Sequence, residues 1–488
     1  MIAKSGREGM KNKIFIALLS FIMVFVSVWL PSQAQASMNL SGAVSKSLGN
    51  AGVGVSIRDG ETGQILYQYY GDTARKPASN MKLLTGAAAL SLLGEDYRYE
   101  TSVYINGYLS NGTLNGNVYL KGSGDPTLQY SQLNTFATAL KNYGIYKVNG
   151  NLYGDESIFT GEQLTPGIAA ADESEYYAAR TTGLVLSPND DFDAGTIIVQ
   201  VKGGTAGRKP VVSVVPNTMG MTISNYATTG SRGTRNTLSI TRKYGTSQVV
   251  ISGSIPAGSS MREWVTVNNP TINTMYAMQQ AMKERGIAFT KAPAIGRGVV
   301  PQGATRVYTV KSRTLKEMFP TFMKLSNNSM ADIFVKTLGA EAYGKGDTQT
   351  GVKVLREYGQ SIGLDMGNWS FEDGSGMSHQ NRISPNALTA LLYHVRGMQG
   401  YQTYYNSLPV GGAKERLVGG TLRTRFTLSA YQYRVTAKTG HISGVYTLSG
   451  YVRAKSGKTY LFSIMTENRS TSSIAGIDAV VSHIINNY

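Results

Sequence analysis

The alternation of apolar and polar residues divides the chain into stretches of different texture. From Val53 the sequence alternates as a strand, turns at Asp59-Gly60 and Thr62-Gly63, and returns through Gln64 to Tyr69, which predicts a hairpin. Ser79 to Leu93 is rich in Ala, Leu and Met and predicts a helix, with Gly94 as its stop. Beyond about residue 100 the texture becomes that of short hairpins. Asn106-Gly107, Asn111-Gly112, Asn115-Gly116 and Asn149-Gly150 all read as type I′ turns. Residues 190 to 265 are almost all strand, with runs such as Thr196–Val201, Val211–Val215 and Val249–Ser252. Helical patterns return at Thr271–Arg285 and Leu315–Leu338. The end of the chain predicts strands Arg434–Lys438, Val445–Arg453 and Thr459–Thr466, then a helix over Ser473–Ile485. No repeat of fixed period runs through the chain. The two ends therefore read as one α/β layer and the middle as a β-rich insertion. Periodicity does not say whether the ends join.

The first 36 residues read as an export signal. Lys4, Arg7, Lys11 and Lys13 flank the apolar run Ile14 to Leu30, and Ala34-Gln35-Ala36 supplies a cleavage site. A signal-anchor helix is the alternative, but Pro31 and the small-residue site favour cleavage. Met10, with Lys11 and Lys13 behind it, would serve equally well as a start. No other stretch is apolar for long enough to span a bilayer, so the expectation is an exported protein, secreted or held at the cell surface, without a transmembrane anchor after cleavage.

Composition narrows the chemistry. The 488 residues hold no cysteine, which removes disulfide scaffolds, thiolate metal sites and thiol nucleophiles together. Only four histidines occur, with no HExxH, so neither a metal nor any other cofactor is expected. The formal charge is +17, or +14 from residue 37 onward. On an exported chain this points to anionic cell-wall polymers as partners. Nucleic acid is not expected, because the Lys and Arg residues are scattered and no nucleic-acid motif appears. The sequence leaves the oligomeric state open.

Three short motifs remain as candidate chemistry. Ser79-Asn80-Met81-Lys82 is S-x-x-K at the start of a predicted helix, and positions three apart share a helix face. A serine needs a base to take its proton, and a lysine can be that base once burial or a second cation lowers its basicity. Ser326-Asn327-Asn328 is S-x-N ahead of a helical run, and Lys438-Thr439-Gly440 closes an alternating strand. Each alone has an ordinary structural explanation, a helix cap or a strand end with a turn glycine. In this order and on these elements they form the signature of serine acyl-transferring penicillin-recognising enzymes. Gly359-Gln360-Ser361-Ile362-Gly363 also matches a nucleophile elbow, but it follows a helical segment and reads as a helix end.

On these motifs the chain resembles the class C low-molecular-mass penicillin-binding proteins, the D-alanyl-D-alanine carboxypeptidase/endopeptidase family. Further stretches carry the resemblance: Gly122-Ser123-Gly124-Asp125-Pro126-Thr127-Leu128, Asp172 to Tyr177, Asp373-Gly374-Ser375-Gly376, Ser407 to Gly412, and Leu448 to Val452. The long interval between Ser79 and Ser326 fits this family and not class A β-lactamases.

The resemblance implies an α/β (α+β) penicillin-binding-protein/β-lactamase-like catalytic domain, an antiparallel sheet flanked by helices, carrying two nested β-rich inserted domains. The expected catalytic parts are 37–99 and 303–488. The first inserted domain would be 100–189 with 266–302, and the second would be 190–265. The resemblance further implies peptidoglycan stem peptides as substrate and β-lactams as acylating inhibitors. Ser79 would be the nucleophile, Lys82 its base, Ser326 a proton relay, and Asn328 the residue that orients Lys82. Lys438, Thr439, Gly440 and residue 441 would receive the terminal carboxylate. Asp172, Tyr177, Ser375 and His379 would meet the substrate. The oxyanion would be held by backbone N–H groups of Ser79 and residue 441.

Two positions depart from the family pattern. His441 stands where Thr or Ser is usual, and His379 stands where Arg is usual. Cross-bridge cleavage, a β-lactamase or esterase activity, and a non-catalytic wall-binding role on the same fold are the alternatives carried forward.

Overall fold

The computed structural model describes residues 37–216 and 220–488, so the export signal expected at 1–36 lies outside the described residues. Two compact units appear. One takes in the chain through Tyr97, Thr314–Asn327 and Phe334–Tyr488; the other takes in Arg98–Arg313 and Asn328–Ile333.

The first unit is built on a five-stranded antiparallel sheet. Its order is Val435–Ile442, Val445–Arg453, Thr459–Thr466, Val53–Asp59 and Ile65–Tyr69. The N-terminal hairpin joins the C-terminal strands directly, with Val55 opposite both Tyr69 and Ile464. One face is covered by the helix Ile474–Asn487, whose Ile477, Val480, Val481 and Ile484 repeat at helical spacing and are buried. They pack with Val53, Val55, Ile57, Phe462 and Ile464 in one cluster. Each such side chain contributes about 1.5–3 kcal/mol by leaving water. The other face receives the helix Pro385–His394, where the Thr389 and Ser56 hydroxyls bond at 2.9 Å. The helix Met81–Leu93 is apolar on nearly every side and correspondingly buried except at Ser91 and Leu93, ending at Gly94.

The second unit holds a seven-stranded sheet and three small ones. The helices Tyr130–Asn142 and Pro270–Glu284 pack together against the large sheet, around Leu133, Phe136, Leu140, Met275 and Met278. The small sheets, all between Thr196 and Thr266, enclose a separate cluster around Ile197, Val199, Val249 and Ile251.

Several expectations shift. Of the four Asn-Gly pairs, only Asn111-Gly112 is a two-residue hairpin turn with both φ angles positive, +46° and +74°. Asn106-Gly107 and Asn115-Gly116 lie inside the paired strands Glu100–Ser110 and Thr113–Lys121. There Gly107 faces Gly116, and a Cβ on either would strike the other strand's backbone. These glycines serve close backbone approach, not chain reversal. Asn149 ends the short strand Lys147–Asn149, and Gly150 packs against the Gly116 carbonyl.

The run 315–338 is two helices, Leu315–Lys324 and Asn328–Tyr343. The left-handed Ser326, at φ +60°, breaks the hydrogen-bond ladder between them. The boundary expected at 302/303 moves to 313/314, because Thr305–Lys311 pairs with Glu100–Ser110 in the large sheet. The strand carrying Lys438-Thr439-Gly440 does not end there but runs on to Ile442.

Candidate active site

The chain enters the site through a strained turn. Ala78 takes φ +46° and opens a 3₁₀ turn, Ala78–Asn80, so Ser79 precedes the α-helix proper instead of lying within it. The turn is held by Asn80, whose amide donates to Ser449 Oγ at 2.7 Å; Ser449 in turn pairs with Ser463 at 2.8 Å. Asn80 thereby ties the Ser79 segment to two central strands. Its place inside S-x-x-K was the only sequence hint of that role.

One turn on, Lys82 is fully buried, and its Nζ donates to Ser79 Oγ at 3.0 Å and to the Ser375 carbonyl at 2.6 Å. Lys438 is also fully buried and donates to Ser326 Oγ and to the Thr439 carbonyl, both at 2.8 Å. Burial, and then the neighbouring Lys82 charge, hold Lys438 well below the usual lysine range. Two serine–lysine pairs thus share one water-poor region, and each hydroxyl has an amine within proton-transfer distance.

Gly440 explains the close fit of strand and turn. It lies opposite Thr447, and a Cβ there would come 2.9 Å from the Pro77 carbonyl and 3.0 Å from the Ser79 nitrogen. The strand can therefore bring its backbone against the turn at Ser79 only with glycine at this position. Thr439 pairs its hydroxyl with that of Thr421 at 2.7 Å, a partner for which the sequence carried no signal. His441 is exposed and its ring lies over Tyr446, with centroids 4.7 Å apart. A cavity of about 400 Å³ is lined by Thr421, Arg425, Thr439, His441, Tyr446 and Ile477, among others.

Other expected residues take different places. Ser375 was expected to touch substrate, but its side chain is fully buried toward Asp373, and its carbonyl meets Lys82. Its contribution is to the lysine. His379 is partly buried, and burial together with Lys76 and Arg382 holds its imidazole below the usual range. In the second unit, the Asn328 amide donates to the Tyr177 carbonyl at 3.1 Å. The Tyr177 phenol is pushed up to about 12 by burial and then by the charges of Asp172 and Glu175.

Sequence reading also passed over Lys324, buried two residues before Ser326 and bonded to the Leu408 carbonyl at 2.5 Å. Burial lowers its pKa to about 8.

The chain was compared with known proteins. It is 34% identical to a D-alanyl-D-alanine carboxypeptidase of Actinomadura sp. (strain R39), over 88% of this chain and 79% of that one. It is 26% identical to the D-alanyl-D-alanine carboxypeptidase DacB of Haemophilus influenzae, over 95% and 94%. The crystal structure of penicillin binding protein 4 (dacB) from H. influenzae superposes with a TM-score of 0.77 at 21% identity, covering 91% of this chain and 98% of that one. A second structure of that protein, complexed with a β-lactam, gives 0.73 at 22% identity, with the same coverage. These likenesses establish a penicillin-binding-protein fold of mixed α and β content. The D-Ala-D-Ala carboxypeptidase 3 (S13) profile matches residues 37–486, nearly the whole described chain, and the protein belongs to that family.

Proposed function

We propose that the chain is a serine DD-peptidase that removes the terminal D-alanine of peptidoglycan stem peptides through an ester on Ser79. The observation that carries this reading is the 3.0 Å contact between Ser79 Oγ and the buried amine of Lys82.

Neutral Lys82 takes the proton as Ser79 Oγ attacks the carbonyl carbon of the penultimate D-alanine. The oxyanion is received by the backbone N–H groups of Ser79 and His441. The C–N bond breaks, and the departing D-alanine nitrogen receives a proton through Ser326, itself bonded to Lys438. Water then attacks the ester and restores the Ser79 hydroxyl. Lys438, Thr439 and Gly440 meet the substrate's terminal carboxylate, and a buried cation beside hydroxyls suits that anion. A β-lactam acylates the same oxygen and stays attached because its leaving group remains tethered.

Asn328 orients Lys82 in this scheme, and Asp172, Tyr177 and His379 meet the far end of the stem peptide. The family resemblance and the influence of the Asp172 charge on the Tyr177 phenol support that assignment. The β-only part of the second unit is read as a domain nested within the sheet-and-helix part, because strands from both its flanks pair in the large sheet. Export by the N-terminal segment and attraction to anionic wall polymers complete the reading. No helix among the described residues is long and apolar enough to cross a membrane.

Incubation with defined muropeptides, followed by mass spectrometry, tests the proposal. Pentapeptide monomer should lose one D-alanine, and fluorescent penicillin should label the wild type but not Ser79→Ala. Label retained in Ser79→Ala, or no D-alanine release, refutes it. Cleavage of cross-linked dimer in the same assay would add the endopeptidase activity.

A further inference from the structure

The loop 373–376 lies along the segment that carries both Ser79 and Lys82. The Gly374 carbonyl accepts from Thr85 Oγ1 at 2.8 Å, and the Ser375 carbonyl accepts from Lys82 Nζ at 2.6 Å. Gly376, at φ +90°, sits so close to the Ala78 carbonyl and Ser79 nitrogen that no side chain fits. Three successive loop residues thus meet the nucleophile segment along about two helical turns.

Beneath the loop is one carboxylate, Asp373, with no exposed surface. Its Oδ1 accepts from the Gly376 N–H at 2.5 Å and its Oδ2 from the Ser378 N–H at 2.6 Å. The Asn381 amide reaches both oxygens at 3.2 Å. A buried carboxylate is costly unless hydrogen bonds and an opposite charge compensate it. Lys438 and Asp373 are two charged groups of this unit that act on Lys82; burial raises the Asp373 carboxyl above its usual range, and its hydrogen bonds and then the Lys82 charge pull it back. One is a second cation, which weakens Lys82 as a base; the other is an anion, which strengthens it. Two ammonium groups in a dry site with no anion would leave Lys82 too weak to take a serine proton, since a general base works best near the ambient pH.

We infer that Asp373 is a positioning residue for the reaction: it folds the 374–376 loop so that the Ser375 carbonyl aims Lys82 at Ser79, and its charge offsets Lys438 to keep Lys82 basic enough to act. The inference rests on the serine-peptidase reading and assigns a role that the three motifs do not include.

The test is the pH profile of acylation by a chromogenic β-lactam in Asp373→Asn, read beside the wild type. Without the carboxylate, Lys82 loses its proton at lower pH. The acid limb of the profile should then move down by about one pH unit, and the plateau should fall by up to about tenfold because the base is weaker. Asp373→Asn combined with Asn381→Asp keeps the net charge and one carboxylate in the knot, covering the case in which the single variant does not fold. Its acid limb should move by less. The single variant, folded and slower but with its limb at the wild-type pH, shows a purely structural aspartate and overturns the inference; so does a double variant whose limb moves by a full unit although its charge is kept. A wild type that takes no label has no limb to move and sinks the peptidase reading instead.

Discussion

Gly440→Ala tests the geometry of the site with a single methyl group. The new carbon would stand 2.9 Å from the Pro77 carbonyl oxygen and 3.0 Å from the Ser79 nitrogen, and closer still to Thr447 Oγ1. Thr447 cannot simply rotate away, because its hydroxyl donates to the Pro77 carbonyl at 2.9 Å and that bond holds the turn. Ordinary contact needs roughly 0.5 Å more room at the turn and more than about 1 Å at Thr447, and overpacking of this kind costs about 1–3 kcal/mol or more. The strand is paired along its whole length with Val445–Arg453, whereas the turn already carries a left-handed alanine. The turn should therefore give way, and with it the Ser79 N–H. Displacing one oxyanion donor costs about 10²–10³ in rate. Stopped-flow acylation by a chromogenic β-lactam should show a loss of at least about 100-fold, with a drop of only a few degrees in melting temperature. Acylation within about threefold of wild type, alongside the same drop in melting temperature, would mean that the strand yields and the fit does not position Ser79.

Two further predictions concern buried charges outside the catalytic pairs. Asp125 is buried, accepts only from the backbone and hydroxyl of Thr127 among the bonds identified, and has its pKa raised to about 6 by burial. The folded state takes up this proton before the unfolded chain does, so stability is gained as pH falls through 6 toward 4. Asp125→Asn should unfold later than wild type in urea at pH 7.5, by about 2–3 kcal/mol, and match it near pH 4; equal stability at both pH values refutes the assignment. Lys324 runs the other way: its pKa falls to about 8, so the wild type should gain stability as pH rises from 8 toward 10. Lys324→Met should lack that gain, and parallel pH–melting curves for the two proteins would count against it.

The terminal strands were legible because they are short runs rich in apolar, β-branched and aromatic residues with turn residues between them: Val445–Arg453 and Thr459–Thr466 fall where the pattern puts them. The Asn-Gly pairs misled because a glycine needed for close approach looks the same as one needed for reversal. Gly107 and Gly116 explain each other only once the strands are paired. At the site, spacing alone placed Lys82 one turn from Ser79, and local sequence was enough. It could not place Ser375, whose carbonyl does the work, because a backbone atom leaves no compositional trace. It marked Asp373 only as part of a family stretch, without its hydrogen-bond partners, and it gave no sign of Thr421, which meets Thr439 through tertiary packing.

The pairing of Val53–Asp59 with Thr459–Thr466 also governs when the protein can become an enzyme. Roughly 400 residues separate these partners, and loop closure over such a distance is slow compared with the local hairpins between them. On a chain emerging from its N-terminus, the middle unit has every strand it needs before the central strand of the catalytic sheet exists. Ser79 is made early, whereas Lys438 and the strand that seats Gly440 come late. The nucleophile therefore stays without its second cation until nearly all of the chain is available. Activity waits on folding order: a chain still leaving the ribosome carries the serine but not the site.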